Sequence, residues 1–472
     1  MAVVEYLHGR SKTLKPTLDP ATNPIRLWTS LSLRQWMYFL VGVFAWTWDA
    51  FDFHSVTLTY PDLSRTFNKS TKEISVGVTL VLMCRPLGAA IFGLAADRYG
   101  RKWPFIVNNF LLIFFELGTG FCQTYSQFLA VRALFGFAMG GIYGNAAATA
   151  LEDCPEAARG LMSGIFQNGY PLGYLLATVF WKAFDENTPH GWRALFWFGA
   201  GPPIVLILAR LVMAETDTFQ GRIPLRGARP GVKDSLEEIK LALARHWGVL
   251  LYLVLLMTGF TFLSHGTQDL YPLMLRNKYD FNSTQITLVQ VTANLGGCLG
   301  GAVVGYGSQI FGRRFSIIIS CILGAALLYP YTFVSGPGLY AAAFFEQFCV
   351  QGAWGVIPIH LIELSPVAFR TLVVGTSYQL GNLVSAASNS IETAIGERYP
   401  LPERDGEKIY DYSLVICIFT ACVFFYTILI TSVGPEKRGT ALSSDDDDAE
   451  ELERDTASDT WDMHHSGPMI RY

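Results

Sequence analysis

The sequence predicts an all-α membrane protein of twelve transmembrane helices, arranged as two homologous halves of six. Three observations predict it. Only 16% of the residues are charged while 51% are hydrophobic, against about 25% charged in an ordinary soluble domain. Twelve apolar runs approach the length of about 20 helical residues that a bilayer core of about 30 Å requires. One block also occurs twice: Gly93-Leu-Ala-Ala-Asp97-Arg98-Tyr-Gly100-Arg101-Lys102 returns, altered, as Gly305-Tyr-Gly-Ser-Gln309-Ile-Phe-Gly312-Arg313-Arg314. Gly140 and Gly352, Glu152 and Glu363, Pro155 and Pro366, Arg159 and Arg370, and Gly164 and Gly375 hold nearly the same offset. A period this long, between membrane-length segments, is the usual build of a transporter.

Taken in order, residues 1–35 carry basic residues but no apolar run, which reads as a cytoplasmic N-terminal segment and not a cleaved signal. The first half occupies 36–214, with spans expected at 36–60, 74–96, 103–122, 126–150, 160–182 and 193–214. A hydrophilic linker, 215–247, follows. Within it Asp234–Arg245 has apolar residues at helical spacing, which predicts an amphipathic helix lying on the membrane surface. The second half occupies 248–433, with spans at 248–275, 287–311, 315–335, 338–362, 371–395 and 412–433. The remainder, 434–472, is an acidic tail of disorder-type composition that includes Asp445–Asp448. Lys437, Ser443 and Ser444 are candidate positions for regulatory modification there, on an end otherwise read as solvated and inert.

Twelve spans place both termini on one side. If that side is the cytoplasm, the inner segments hold about 20 Lys and Arg and the outer loops about 10, as the positive-inside rule requires. The sequons at Asn68 and Asn282 then fall outside, just after the first and seventh spans. No basic domain suggests nucleic acid. The eight cysteines are scattered, without a CxxC or Cys/His cluster, so neither a disulfide framework nor a metal site is expected. There is no nucleophile motif or phosphate loop, which argues against an enzyme, and no cofactor is implied.

A charge at mid-bilayer costs about 2.5–3.5 kcal/mol on insertion scales, so the ionisable residues inside the spans are the candidates for function. In the first span Asp49 and Asp52 are three residues apart, which places both carboxylates on one face, to share a proton or to brace another helix. Arg85, about halfway along the second span, either receives a substrate carboxylate or pairs with one of those aspartates. In the seventh span Ser264, His265, Thr267, Gln268 and Asp269 lie within six residues. His265 and Asp269 are four apart, so the carboxylate can orient the imidazole of a proton carrier. Gln379 and Asn382 share a face of the eleventh span. Glu116, Glu346 and Arg132 read as structural, Arg132 because it opens an Arg-x-x-x-Gly136-x-x-x-Gly140 pattern that allows close helix approach. At the basic turns, Asp97 with Gly93, Arg98, Gly100 and Arg101 forms an expected cytoplasmic latch that holds neighbouring helix N-termini. The second copy, with Gln309 in place of the aspartate beside Arg313 and Arg314, should hold less firmly.

These residues resemble the major facilitator superfamily over about 36–433. The Gly93–Lys102 block is similar to that superfamily's signature loop between its second and third spans, with the degenerate second copy where the superfamily places it. Trp48-Asp49-Ala-Phe-Asp52-Phe is similar to the first span of acid–proton symporters, including sialic-acid and aromatic-acid permeases. The seventh-span block resembles the Asn-x-x-Ser/Thr-His-x-Ser/Thr-Gln-Asp-x-x-x-Thr motif of fungal Jen-type carboxylate–proton symporters. Ser264, His265, Thr267, Gln268 and Asp269 match it, while Thr261 and Leu273 depart from it. The resemblance implies a plasma-membrane carrier that imports a small mono- or dicarboxylate, of the lactate, pyruvate, acetate or succinate class, with protons by alternating access. It implies that His265 and Asp269 are transport-critical and that Gln379 and Asn382 are the polar pair of span eleven. The departures keep open a permease for a bulkier acid, a sialate or an aromatic acid. A non-transporting nutrient sensor is the remaining alternative.

Overall fold

The computed structural model describes residues 14, 16, 18, 20–222, 232–403, 409–439 and 442. The acidic run and Ser443 and Ser444 lie outside the described residues. Among those described, the chain is helical apart from short connections and one isolated bridge between Pro400 and Tyr410. In the first half the spans are Leu33–Leu58, Thr71–Tyr99 and Lys102–Phe121, then three that are broken. The fourth is Tyr125–Gly140 with Ile142–Leu151, the fifth Arg159–Gln167 with Gly169–Asn187, and the sixth Trp192–Gly199 with Pro202–Val212. In the second half they are Val232–Gln268, Ser283–Phe311, Arg313–Phe333, Pro337–Leu364, Arg370–Ser385 with Ser388–Gly396, and Ser413–Val433. Seven helices among the described residues are apolar and long enough to cross a membrane by that measure alone. The first, fourth and fifth spans are not among the seven, and the tenth and eleventh pass only together, as a pair bent by 117°.

Four helix starts are written plainly in the sequence. Ser32 with Gln35, Ser70 with Glu73, Thr124 with Gln127 and Asn282 with Gln285 each form a capping box that opens the first, second, fourth and eighth spans. The linker differs from expectation. Its helix is continuous with the seventh span as Val232–Gln268, so the segment 234–245 is the leading end of that span and not a separate surface helix. A helix in which both segments have the same period, with no breaker between them, has no reason to stop. The seventh span then ends early, at Gln268, and a separate helix, Tyr271–Tyr279, follows.

The two halves meet where the second span packs on the eleventh and the fifth packs on the eighth and tenth. Small residues set those distances. A Cβ at Gly93 would lie 2.7 Å from the Cα of Leu372, so the second and eleventh spans touch backbone to backbone there. Within the first half, a Cβ at Gly140 would collide with the carbonyl oxygen of Arg85, so this glycine lets the fourth span lie against the second at the arginine. The buried core runs through both halves and includes Trp46, Tyr143, Phe166, Trp354 and Tyr378.

Candidate functional site

The second span carries Arg85 into the interior immediately before Pro86, and its side chain meets the first span. Arg85 Nη2 lies 3.3 Å from Asp49 Oδ2, with both side chains almost fully buried. The guanidinium also stands 5.0 Å over the ring of Phe53. Asp49 Oδ1 and Arg85 Nε have no hydrogen-bond partner, so the pair is held through one nitrogen and one oxygen. A guanidinium can take a carboxylate through two parallel N–H donors. This pair therefore leaves unused the geometry that a second carboxylate would need.

The two aspartates of the first span lie close enough for the charge of Asp49 to act on Asp52, but their further neighbours differ. Asp52 turns away from Arg85 toward Glu116 and Arg132, whose charges both act on it. Arg132 Nη1 is 3.2 Å from Glu116 Oε2, and both are buried. A Cβ at Gly199 would lie 2.8 Å from Asp52 Oδ1 and 3.5 Å from Glu116 Oε1, so the sixth span closes over this group. Residues three apart differ by about 60° around a helix. That is enough to serve two different neighbours.

Between Arg85 and the second half stands an aromatic group. The His54 ring is 5.3 Å from Tyr170 and 4.5 Å from Tyr174. The charges of Arg85 and Asp269 both reach His54 and Tyr170, and those of Arg85 and Asp49 reach Tyr378. Tyr378 stacks on Tyr143 at 4.0 Å and meets Trp46 edge-on at 5.6 Å. Through Tyr378 these rings join the two halves.

From the second half, His265 Nδ1 lies 2.9 Å from Asp269 Oδ2, with side chains 28% and 33% exposed. Asp269 is the first residue beyond the helix end, and its N–H still bonds the carbonyl of His265 at 3.0 Å. Ser264 Oγ accepts from Trp354 Nε1 at 2.8 Å, and Gln268 Nε2 donates to Gln347 Oε1 at 2.9 Å. Thr267 is separate. Its hydroxyl donates back to Leu263 at 2.9 Å, and its carbonyl accepts from Tyr331 at 2.6 Å, so it faces the ninth span. Gln379 is buried with neither amide atom partnered, and Asn382 donates to Tyr378 O at 3.2 Å. Thr261, one of the departures from the motif, donates to Gly381 O at 3.0 Å and ties the seventh span to the eleventh. Leu273, the other, is exposed.

The basic turns close one face of the bundle. Asp97 accepts from the N–H groups of Thr371 and Leu372 at 3.0 and 2.8 Å, capping the eleventh span from the opposite half. Arg101 pairs with Asp97 at 2.9 Å and, through two nitrogens, with Glu152 at 2.7 and 3.1 Å. Arg370 approaches Glu152 from across the halves at 3.5 Å. Gly100, at φ 96°, makes the turn that L side chains rarely adopt, and Arg98 lies over the ring of Tyr99. In the second copy Arg313 pairs with Glu363 at 2.9 and 3.0 Å and donates to Gln309 at 2.8 Å, within its own half. Gly312, at φ 100°, repeats the turn. Arg314 donates to Thr431 O at 2.9 Å, and Glu436 accepts from the N–H groups of Arg313 and Arg314. Burial pushes the Glu436 carboxyl above its usual range while those two amides pull it back.

Comparison with known proteins places this architecture. A family model described as sugar (and other) transporter matches residues 24–224. A proton:xylose symporter of the major facilitator superfamily superposes with a TM-score of 0.70 at 17% identity, covering 87% of this chain and 98% of its own. The carboxylic acid transporter protein homolog of Saccharomyces cerevisiae is 40% identical over 441 residues, 89% of this chain and 71% of the yeast protein. The chain belongs to the major facilitator superfamily. A cis,cis-muconate transport protein of Acinetobacter baylyi is a more distant relative, 25% identical over 74% of this chain and 84% of its own. The superfamily's members found here are transporters, not enzymes.

Several residues of this major facilitator protein escaped sequence reasoning as parts of a site. Glu152, Glu363 and Arg370 were visible only as repeat partners, yet they carry the charge network of the closed face. Glu436 and Glu215 are its outer caps: Glu215 accepts from Lys102 N–H at 3.0 Å, as Glu436 does from Arg313 and Arg314. Tyr170, Tyr174 and Tyr378 were not separable from ordinary aromatic packing, whereas His54 was visible as an ionisable residue of the first span beside Asp49 and Asp52. Glu392, in the outer part of the eleventh span, carried a signal that could have been used: it is an acid inside a predicted membrane segment.

Proposed function

We propose that this chain is a symporter that carries a small mono- or dicarboxylate across the plasma membrane with at least one proton. The observation that carries this reading is the placement of ionisable groups inside the spans: Arg85 is buried against Asp49 in the first half, and His265 pairs with Asp269 in the second. An anion anchor and a proton carrier are thus both built into the membrane interior. Arg85 takes the cargo carboxylate; Ser264, Gln268, Gln379 and Asn382 are the neutral groups for the rest of it. His265 with Asp269, and Asp49 once released by Arg85, are the groups that accept the proton. A bound anion with a proton beside it is nearly neutral, so the halves can rock at little electrostatic cost. With the basic turns on the cytoplasmic side, Asp97, Arg101, Glu152 and Arg370 hold the inner face shut. The 40% identity to a carboxylic acid transporter homolog supports the substrate class.

The test is uptake into vesicles containing the purified protein. One pH unit across the membrane is worth about 1.4 kcal/mol per proton, or about tenfold accumulation. The parent should accumulate labelled lactate or acetate accordingly, and His265→Ala and Asp269→Asn should each abolish accumulation. Unchanged accumulation in both variants would reject the assignment. A second reading, a bulkier or unsaturated acid, is favoured by the Phe53 ring against Arg85 and by the muconate relative. Competition by muconate or sialate that exceeds competition by unlabelled lactate would select it.

A further inference from the structure

The eleventh span breaks at Ala386–Ala387 and resumes as Ser388–Gly396, while the seventh breaks just after Gln268. Irregular backbone at membrane depth is tolerated where it lines a cavity or is buried in protein. The resumed helix packs against the seventh and twelfth spans and carries Glu392, which is wholly buried. Ser388 Oγ donates to its Oε1 at 2.8 Å, and its Oε2 has no hydrogen-bond partner. The charged groups that act on it come from the seventh span: His265 and Asp269. The twelfth span, Ser413–Val433, brings no Asp, Glu, Lys, Arg or His to this contact.

Resting on the function proposed above, we propose that Glu392 is a second proton-binding site of the transport cycle, coupled to His265 and Asp269. The charge count gives the reason. With all three groups deprotonated the cluster carries two negative charges. One proton on His265 leaves a net single negative charge, which still repels an incoming carboxylate in a low-dielectric interior. A second proton, received through the partly exposed His265–Asp269 pair and held on Glu392 Oε2, brings the cluster to neutrality and admits the anion. When the halves rock, both protons leave with the cargo, and Glu392 returns to its charged form. With one oxygen unpartnered and His265 as the cation that acts on it, the charge of Glu392 is poorly compensated by the fold.

The experiment uses the full chain in proteoliposomes at zero membrane potential, with labelled lactate, and reads the slope of log accumulation against the pH difference. Each coupled proton contributes one to that slope. Glu392→Gln should lower it by one relative to the parent, a tenfold loss of accumulation at one pH unit, while lactate counterflow without a gradient stays within about twofold. Glu392→Asp should restore the slope. Ser388→Ala, which removes the donor to Oε1, should shift the pH of half-maximal uptake and leave the slope unchanged. A Glu392→Gln slope equal to the parent's would overturn the proposal, as would loss of counterflow in Glu392→Gln and Glu392→Asp protein that is folded and inserted, because that marks a purely structural residue. If the parent itself shows no slope or no lactate flux, it is the transport assignment that fails, which separates the two outcomes.

Discussion

Arg85 and Asp49 hold each other through a single contact in a sealed setting, and this makes their energetics asymmetric. Removing one member of a buried pair strands the other's charge and costs about 3–5 kcal/mol, whereas removing both is far less damaging. Arg85→Gln should therefore lower the melting temperature of the purified protein and raise the KM for lactate at least about tenfold. Adding Asp49→Asn should recover most of the stability and none of the affinity; recovery of both would make the pair merely structural. Thr267 provides the contrast. Its hydroxyl is spent on its own helix, and its link to Tyr331 is made through the backbone. Thr267→Val should leave the KM within about twofold, despite its place in the motif. The pairing of His265 with Asp269 was legible because residues four apart on a helix must meet. The partner of Arg85 was not: the sequence offers Asp49, Asp52 and the cargo alike, and the rotation of the first span against the second decides among them.

Among the elements, four helix starts follow from Ser, Thr or Asn standing three residues before Gln or Glu, because that pairing satisfies local backbone donors without help from the rest of the fold. The closures between elements were not readable. Glu436 follows the twelfth span yet caps the start of the ninth, accepting from Arg313 and Arg314. Its carboxyl is raised by burial, so the folded chain binds that proton more tightly than the unfolded chain does. The resulting stability is fully present below the ordinary value of 4.5 and is lost as pH rises through the raised one. Glu436→Gln should flatten this decline in melting temperature between acidic and neutral pH. A variant that tracks the parent across that range would show the carboxyl to be energetically silent.

For the whole molecule, the proposed function requires the closed face to open and shut. Asp97 supplies two charge-assisted hydrogen bonds to the opposite half, each worth about 1.5–3 kcal/mol, so Asp97→Ala should shift the equilibrium toward opening of that face by a factor of at least about 10. Thr371, buried at the contact, can report it. The chain has eight free cysteines, so the probe is Thr371→Cys in a background that lacks them. Its reaction with a water-soluble thiol reagent should be slow in the parent and at least about tenfold faster with Asp97→Ala. Equal rates would mean that Asp97 does not hold the halves together.

By itself, the sequence determined the solvent of this protein, its twelve-helix duplicated plan and the pairing of His265 with Asp269. Each of these follows from composition, period or spacing along one helix, which are properties of the chain alone. The tertiary structure decided which of two aspartates Arg85 meets, which helix Asp97 caps, that the Thr267 hydroxyl bonds its own helix, and that the helix bearing Glu392 packs on the seventh span. Those outcomes depend on how helices distant in sequence are rotated and how closely their glycines let them approach, and no local pattern specifies either.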